Sequence, residues 1–138
     1  MPETDTAPPS LLSVMTIRQA IDLADKLRPN PFDTSLKVGW LSKLDGMIFR
    51  EVIQTHEGGE EAVFTPYADE CVERQLLVPE PYAEDLYLCF LQMQIDKENA
   101  EYKRYNQSVT MYNNAYKTFQ DWYNRTHAPL PRRTRFKI

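Results

Sequence analysis

The span from Pro79 to His127 contains no glycine, and no proline after Pro81, so nothing local forbids helix across about fifty residues. Its start is marked. Pro79-Glu80-Pro81 stops whatever precedes it, and Pro81 fits a first helical turn, where a missing N–H costs nothing. Glu80, Glu84 and Asp85 sit at the positive end of the helix dipole and Arg125 near the negative end. Leu88, Leu91, Ile95, Glu98, Tyr102, Tyr105, Val109, Tyr112, Tyr116, Phe119 and Tyr123 then alternate steps of three and four. That is an a/d seam held for about five heptads, the pattern of a helix packed lengthwise on another. Only Glu98 breaks its apolar run.

The spacing predicts helix from Pro81 to about Asn124, continuous or broken once near Asn106–Ser108, where weaker helix formers gather. A second row, Leu86, Phe90 and Met93, then Met111, Ala115 and Trp122, widens the seam at both ends. In the middle it reads Lys97, Ala100, Arg104 and Gln107, a wet face. Below Glu98 the seam is mostly tyrosine, whose large ring needs a partner for its hydroxyl and suits a surface with one wet end. A tyrosine-rich core stripe and a subunit interface through Tyr102, Tyr105, Tyr112, Tyr116 and Tyr123 both satisfy the pattern. Such an interface lacks a dry aliphatic surface, so the free subunit is expected to be monomeric or weakly associated.

Two helices precede the seam. Thr16 with Gln19 three residues on forms a capping box, and Ile17, Ile21, Ala24 and Leu27 give an apolar stripe that ends at Pro29 and Pro31. A second helix is expected from Thr34 or Ser35 to about His56, burying Leu36, Trp40, Leu44, Met47, Ile48 and Val52. Gly39 and Gly46 within it suggest close approach of a neighbouring backbone, and Gly58-Gly59 supplies a left-handed stop. Between Glu60 and Val78 the signal is weak; extended chain is expected, with Leu76, Leu77 and Val78 on the core. The fold class is therefore all-α: a small helical bundle built on one long C-terminal helix, with extended N- and C-terminal tails. Residues 1–14 read as a disordered extension, 15–127 as the helical domain and 128–138 as an extended basic tail.

Charge is uneven along the chain. The formal charge is −4, yet Arg132, Arg133, Arg135 and Lys137 lie in a final stretch without acids. Without those four, 12 basic residues face 20 acidic ones, a balance of −8. An acidic body with a basic tail points to specific docking more than to general nucleic-acid binding. Within the tail, Arg135-Phe136-Lys137-Ile138 alternates charged and apolar residues as a half-buried strand does, so it suits strand addition to a partner's sheet edge. No apolar run approaches a membrane span and no signal peptide opens the chain, which places it in the cytoplasm, away from membranes. Cys71 and Cys89 fit a reducing compartment.

Catalytic chemistry has little to stand on. His56 and His127 end two different helices without a ligand-spaced neighbour and read as solvated histidines near helix C-termini. Cys71 lies among Asp69, Glu70 and Glu73, which disfavours a reactive thiolate, and Cys89 between Leu88 and Phe90 reads as a small core residue. Gly58-Gly59 runs into Glu60-Glu61, the wrong charge for a phosphate loop. No enzyme activity, cofactor or metal is expected.

Three segments resemble the head–tail connector (adaptor or neck) proteins of tailed bacteriophages and prophages. They are Met15-Thr16-Ile17-Arg18-Gln19-Ala20-Ile21, Leu76-Leu77-Val78-Pro79-Glu80-Pro81-Tyr82, and the tyrosine–asparagine run from Tyr105 through Tyr112-Asn113-Asn114-Ala115-Tyr116 to Trp122-Tyr123-Asn124-Arg125-Thr126-His127. The resemblance implies a structural virion protein, made in the host bacterial cytoplasm and built into the neck. Such proteins form a homo-oligomeric ring, commonly of twelve copies, under the portal. The ring extends the DNA channel without sequence specificity and meets the next neck or tail protein. On that resemblance the tail residues Arg132, Arg133, Arg135, Phe136, Lys137 and Ile138 would dock on the portal. The stretch before Met15 and the acidic loop Glu57–Glu61 depart from the family pattern. The alternative is a cytoplasmic helical adaptor or regulatory subunit that dimerises through the heptad seam.

Overall fold

The computed structural model describes residues 13–69 and 71–131. In chain order they form β1 (Val14–Thr16), α1 (Ile17–Leu27), α2 (Thr34–Ile48), β2 (Gln75–Pro79), α3 (Ala83–Glu98) and α4 (Tyr102–Thr126). The α2 helix continues into one π-helical turn, Phe49–Ile53, closed by Gln54 N–H to the Phe49 carbonyl at 2.9 Å.

The long C-terminal helix does not exist as one element. Four helices and a two-stranded antiparallel sheet replace the expected all-α bundle. The chain reverses at Asn99–Glu101, not at Asn106–Ser108. Glu101 N–H bonds to the Asp96 carbonyl at 3.0 Å and Ala100 N–H to the Lys97 carbonyl at 3.1 Å, a Schellman closure with Ala100 at φ 56°. Glycine normally holds that position, and its absence hid the turn. The hairpin is antiparallel: Phe90 meets Tyr112 at 5.6 Å between ring centroids, and Tyr82 at one end meets Trp122 at 5.1 Å. The two halves of the seam thus pack on each other.

The sheet was missed because β1 is three residues long and shares its N-terminal signals with α1. Val14 pairs with Pro79 and Thr16 with Gln75, and Glu80 N–H extends the ladder to the Ser13 carbonyl at 2.8 Å. Thr16 ends the strand and caps α1: its hydroxyl accepts from Gln19 N–H while Gln19 Oε1 accepts from Thr16 N–H at 2.9 Å, as the capping box requires.

The core lies where α1, α2 and β1 converge on α3. Ile17, Ile21, Val38, Leu41, Ile48, Val78, Leu86, Leu91 and Ile95 are buried there, and Trp40 and Leu44 join them. Leu88 is only half-buried, and Leu27 and Leu36 are exposed. Of the glycines, Gly59 has the tight fit: a Cβ there would collide with the Ile53 carbonyl. Gly58 supplies the left-handed residue at φ +93°. Gly39 faces open space and Gly46 meets only the Phe64 ring, so neither serves a close backbone approach.

Candidate interaction surface

The two arms of the hairpin differ in what lies behind them. The α3 arm is covered by α1, α2 and the sheet on one side and by α4 on the other, and eight of its sixteen residues are buried. The α4 arm packs on α3 and buries only Ser108 and Phe119 of its 25 residues. Its outer face is open, with Tyr102 at 69% exposure and Asn106, Asn113 and Lys117 exposed, and Met111 on the flank toward α3 is 56% exposed.

The five tyrosines expected at an interface divide accordingly. Tyr102 stands clear of the core next to the hairpin turn, and Tyr105 is half-buried. Tyr112 and Tyr116 stack at 6.1 Å and lean on Phe90 and Phe119. Tyr123 stacks flat on His127 at 3.9 Å and takes the His56 ring edge-on at 5.0 Å. Three of the five rings, Tyr112, Tyr116 and Tyr123, are therefore partly used to pack the chain on itself, and among the described residues none of the five hydroxyls is buried without a partner. Burial pushes the Tyr112 hydroxyl up to about 12, with Tyr116 and Glu51 adding to the rise. Burial raises Tyr116 as well, again with Glu51, and raises Tyr123 alone. These phenols stay neutral across the physiological range. The tail positions Arg132, Arg133, Arg135, Phe136, Lys137 and Ile138 lie outside the described residues.

What the sequence did not disclose is a set of buried polar nodes that fix this hairpin to the rest. Asp45, fully buried on α2, accepts from the Tyr67 hydroxyl, from the Tyr87 hydroxyl at 2.7 Å and from Leu77 N–H at 3.0 Å. The Tyr87 hydroxyl in turn accepts from Val78 N–H at 2.9 Å. One carboxylate thus joins α2, the long loop, β2 and α3. Burial raises the Asp45 pKa, and the three donors oppose that rise. Tyr67 and Tyr87 are also driven upward, by burial first and by the Asp45 charge next. Arg74 lies 4.6 Å over the Tyr67 ring and donates to the Thr65 carbonyl at 2.9 Å, closing the outer side. An aspartate between Leu41, Leu44 and Ile48 on a helix's apolar face was the available signal.

Asp96 forms the second node, accepting through Oδ2 from Arg28 and from the Ser108 hydroxyl, each at 2.7 Å, so that α1, α3 and α4 meet. Its Oδ1 has no partner among the described residues. The third node corrects the reading of His56, which is 6% exposed and not solvated. Its Nδ1 donates to the Val52 carbonyl at 2.6 Å, and its Nε2 lies 2.6 Å from the Asn124 side-chain amide. Beside it the chain after α4 is held by Glu57 N–H to the Ala128 carbonyl and Leu130 N–H to the Thr55 carbonyl, both 2.8 Å.

These contacts tie elements together. Cys71 and Cys89 are free thiols; Cys89 is nearly buried, and burial with the nearby Asp85 raises its pKa. Among the described residues no three His, Cys, Asp or Glu side chains are grouped to hold a metal ion. No described helix is long and apolar enough to cross a membrane. No known protein family, curated protein or solved structure matches this chain.

Proposed function

We propose that this chain is a head–tail connector subunit of a tailed bacteriophage, a structural protein without catalytic activity or cofactor. Copies join side by side into a ring of about twelve under the portal, with α4 contributing a lateral face. The ring prolongs the DNA channel and offers its far side to the next neck or tail protein. The observation that carries this reading is where the three family-like segments lie. Met15 and Thr16 of the first segment lie in β1 and Leu76 to Pro79 of the second in β2, the two strands of one sheet, and Tyr82 packs on Trp122 of the tyrosine–asparagine run at 5.1 Å. Segments distant in sequence that resemble one family therefore meet in one folding unit.

The open side of α4 adds support. A ring subunit needs two non-equivalent lateral faces, and a helix covered on one side only supplies one of them. The acidic body also lets DNA slide without being gripped. A dimerising adaptor would instead need the seam free, and Leu91, Ile95 and Phe119 of that seam are buried within the chain.

Electron microscopy and mass measurement of the purified protein, alone and mixed with a portal ring, test the reading. A monomer or weak oligomer alone that becomes a closed ring on the portal is the expected outcome. No association with any portal, with a stable dimer instead, would overturn it.

A further inference from the structure

Beside the sheet lies a groove of about 640 Å³ whose walls are Val14, Pro79, Tyr82, Trp122 and Tyr123, with Phe119 at its floor. The lining is aromatic and apolar, and its rim rings are half-buried. We propose that this groove seats the chain's own N-terminal segment, Pro8-Pro9-Ser10-Leu11-Leu12.

The occupant follows from where the chain enters. Ser13 is held by its carbonyl to Glu80 N–H at 2.8 Å, and Val14, the next residue, is itself part of the groove wall. Residues on one side of a strand recur every second position, so a strand continued upstream would bring Leu12 to the side of Val14, about 7 Å away. Twelve residues precede Ser13, and the five nearest are two prolines, a serine and two leucines. A Pro-Pro pair favours polyproline II, the conformation that docks on aromatic-lined grooves at low entropic cost. Trp122, Tyr123 and Tyr82 offer such rings, and the groove is far larger than one leucine fills. Attachment one residue away from the wall makes the local concentration of this segment high, which favours it over a peptide from elsewhere. Residues 128–130, after α4, take a separate route, paired through Ala128 and Leu130 to residues 55–57.

Methyl NMR on the full-length chain tests this, with the Leu12 methyls assigned through Leu12→Ile. Contacts from those methyls to Trp122 or Tyr123 ring protons, with an upfield ring-current shift, are expected. Leu12 methyls at random-coil positions without ring contacts would overturn the proposal. In an equal mixture of labelled and unlabelled chains the contacts should stay within one chain; contacts seen only between chains would reassign the groove to a second copy and overturn it. Leu12→Asp should leave helical circular dichroism unchanged and raise acrylamide quenching of tryptophan fluorescence. Unchanged quenching would count against the proposal.

Discussion

The two arms of the C-terminal hairpin carry the same heptad spacing and have different fates. In α3 the seam residues Leu91 and Ile95 are completely enclosed, whereas in α4 only Phe119 is. Spacing decides which residues share a face, but burial depends on how many elements press on the helix. Among the described residues α1, α2 and β1 press on the back of α3, whereas the extensive packing of α4 is with α3 alone. The inner arm is therefore a stability element, and the outer arm is largely exposed.

The largest effect that would sharpen this contrast lies behind α3. Asp45→Ala strips three buried donors of their acceptor, with an expected loss of about 3–5 kcal/mol. Urea denaturation followed by circular dichroism measures it, and a loss below about 1 kcal/mol would deny the node its role. Next, Leu91→Ala in α3 should cost about 3 kcal/mol, while Val109→Ala in α4 should cost less than about 1 kcal/mol. Equal costs would break the distinction between the arms.

A third expectation concerns pH. Asp45 has a folded-state pKa raised above its ordinary 3.8, so the folded protein holds that proton more tightly than the unfolded chain. Its contribution is fully present below pH 3.8 and is lost as pH rises through the higher folded value. Each unit of that rise corresponds to about 1.4 kcal/mol. Relative to wild type, Asp45→Asn should therefore gain stability as pH is raised from acid to neutral. A constant difference between the two curves would show that the carboxylate does not titrate differently in the two states.

Smaller still is the hairpin turn. Ala100 sits at φ 56°, where a Cβ is unfavourable, so Ala100→Gly should stabilise by about 0.5–1 kcal/mol despite the flexibility glycine adds to the unfolded chain. A drop in stability would mean that the turn is held by something other than its backbone closure. At the end of the scale, Tyr102→Ser should leave the denaturation midpoint unchanged, because the side chain touches little of its own chain. Its effect should appear only in ring assembly on a portal. A shift in the midpoint would move Tyr102 from the outer surface into the fold.

Signals that act within a few residues were legible in the sequence. The Thr16–Gln19 capping box starts α1, Pro29 and Pro31 follow its end, and α2 begins at Thr34. Leu76 and Val78 lie extended on the core, as expected ahead of Pro79, but Leu77 between them is only half-buried and lines the groove beside the sheet. The hairpin tip also left a trace: Glu98 interrupts the apolar seam, and Lys97, Ala100, Arg104 and Gln107 make the second row polar at the same point. That trace could not fix the reversal, since no glycine or proline marks it and a single helix satisfies the same spacing. The choice was made by packing, because folding back lets Phe90, Leu91 and Phe119 cover one another while Asp96 gathers Arg28 and Ser108 across the turn. Tertiary structure likewise decided the roles of Asp45 and His56. Their partners lie up to 42 and 68 residues away, and the free energy of a buried hydrogen bond depends on neighbours that periodicity cannot name.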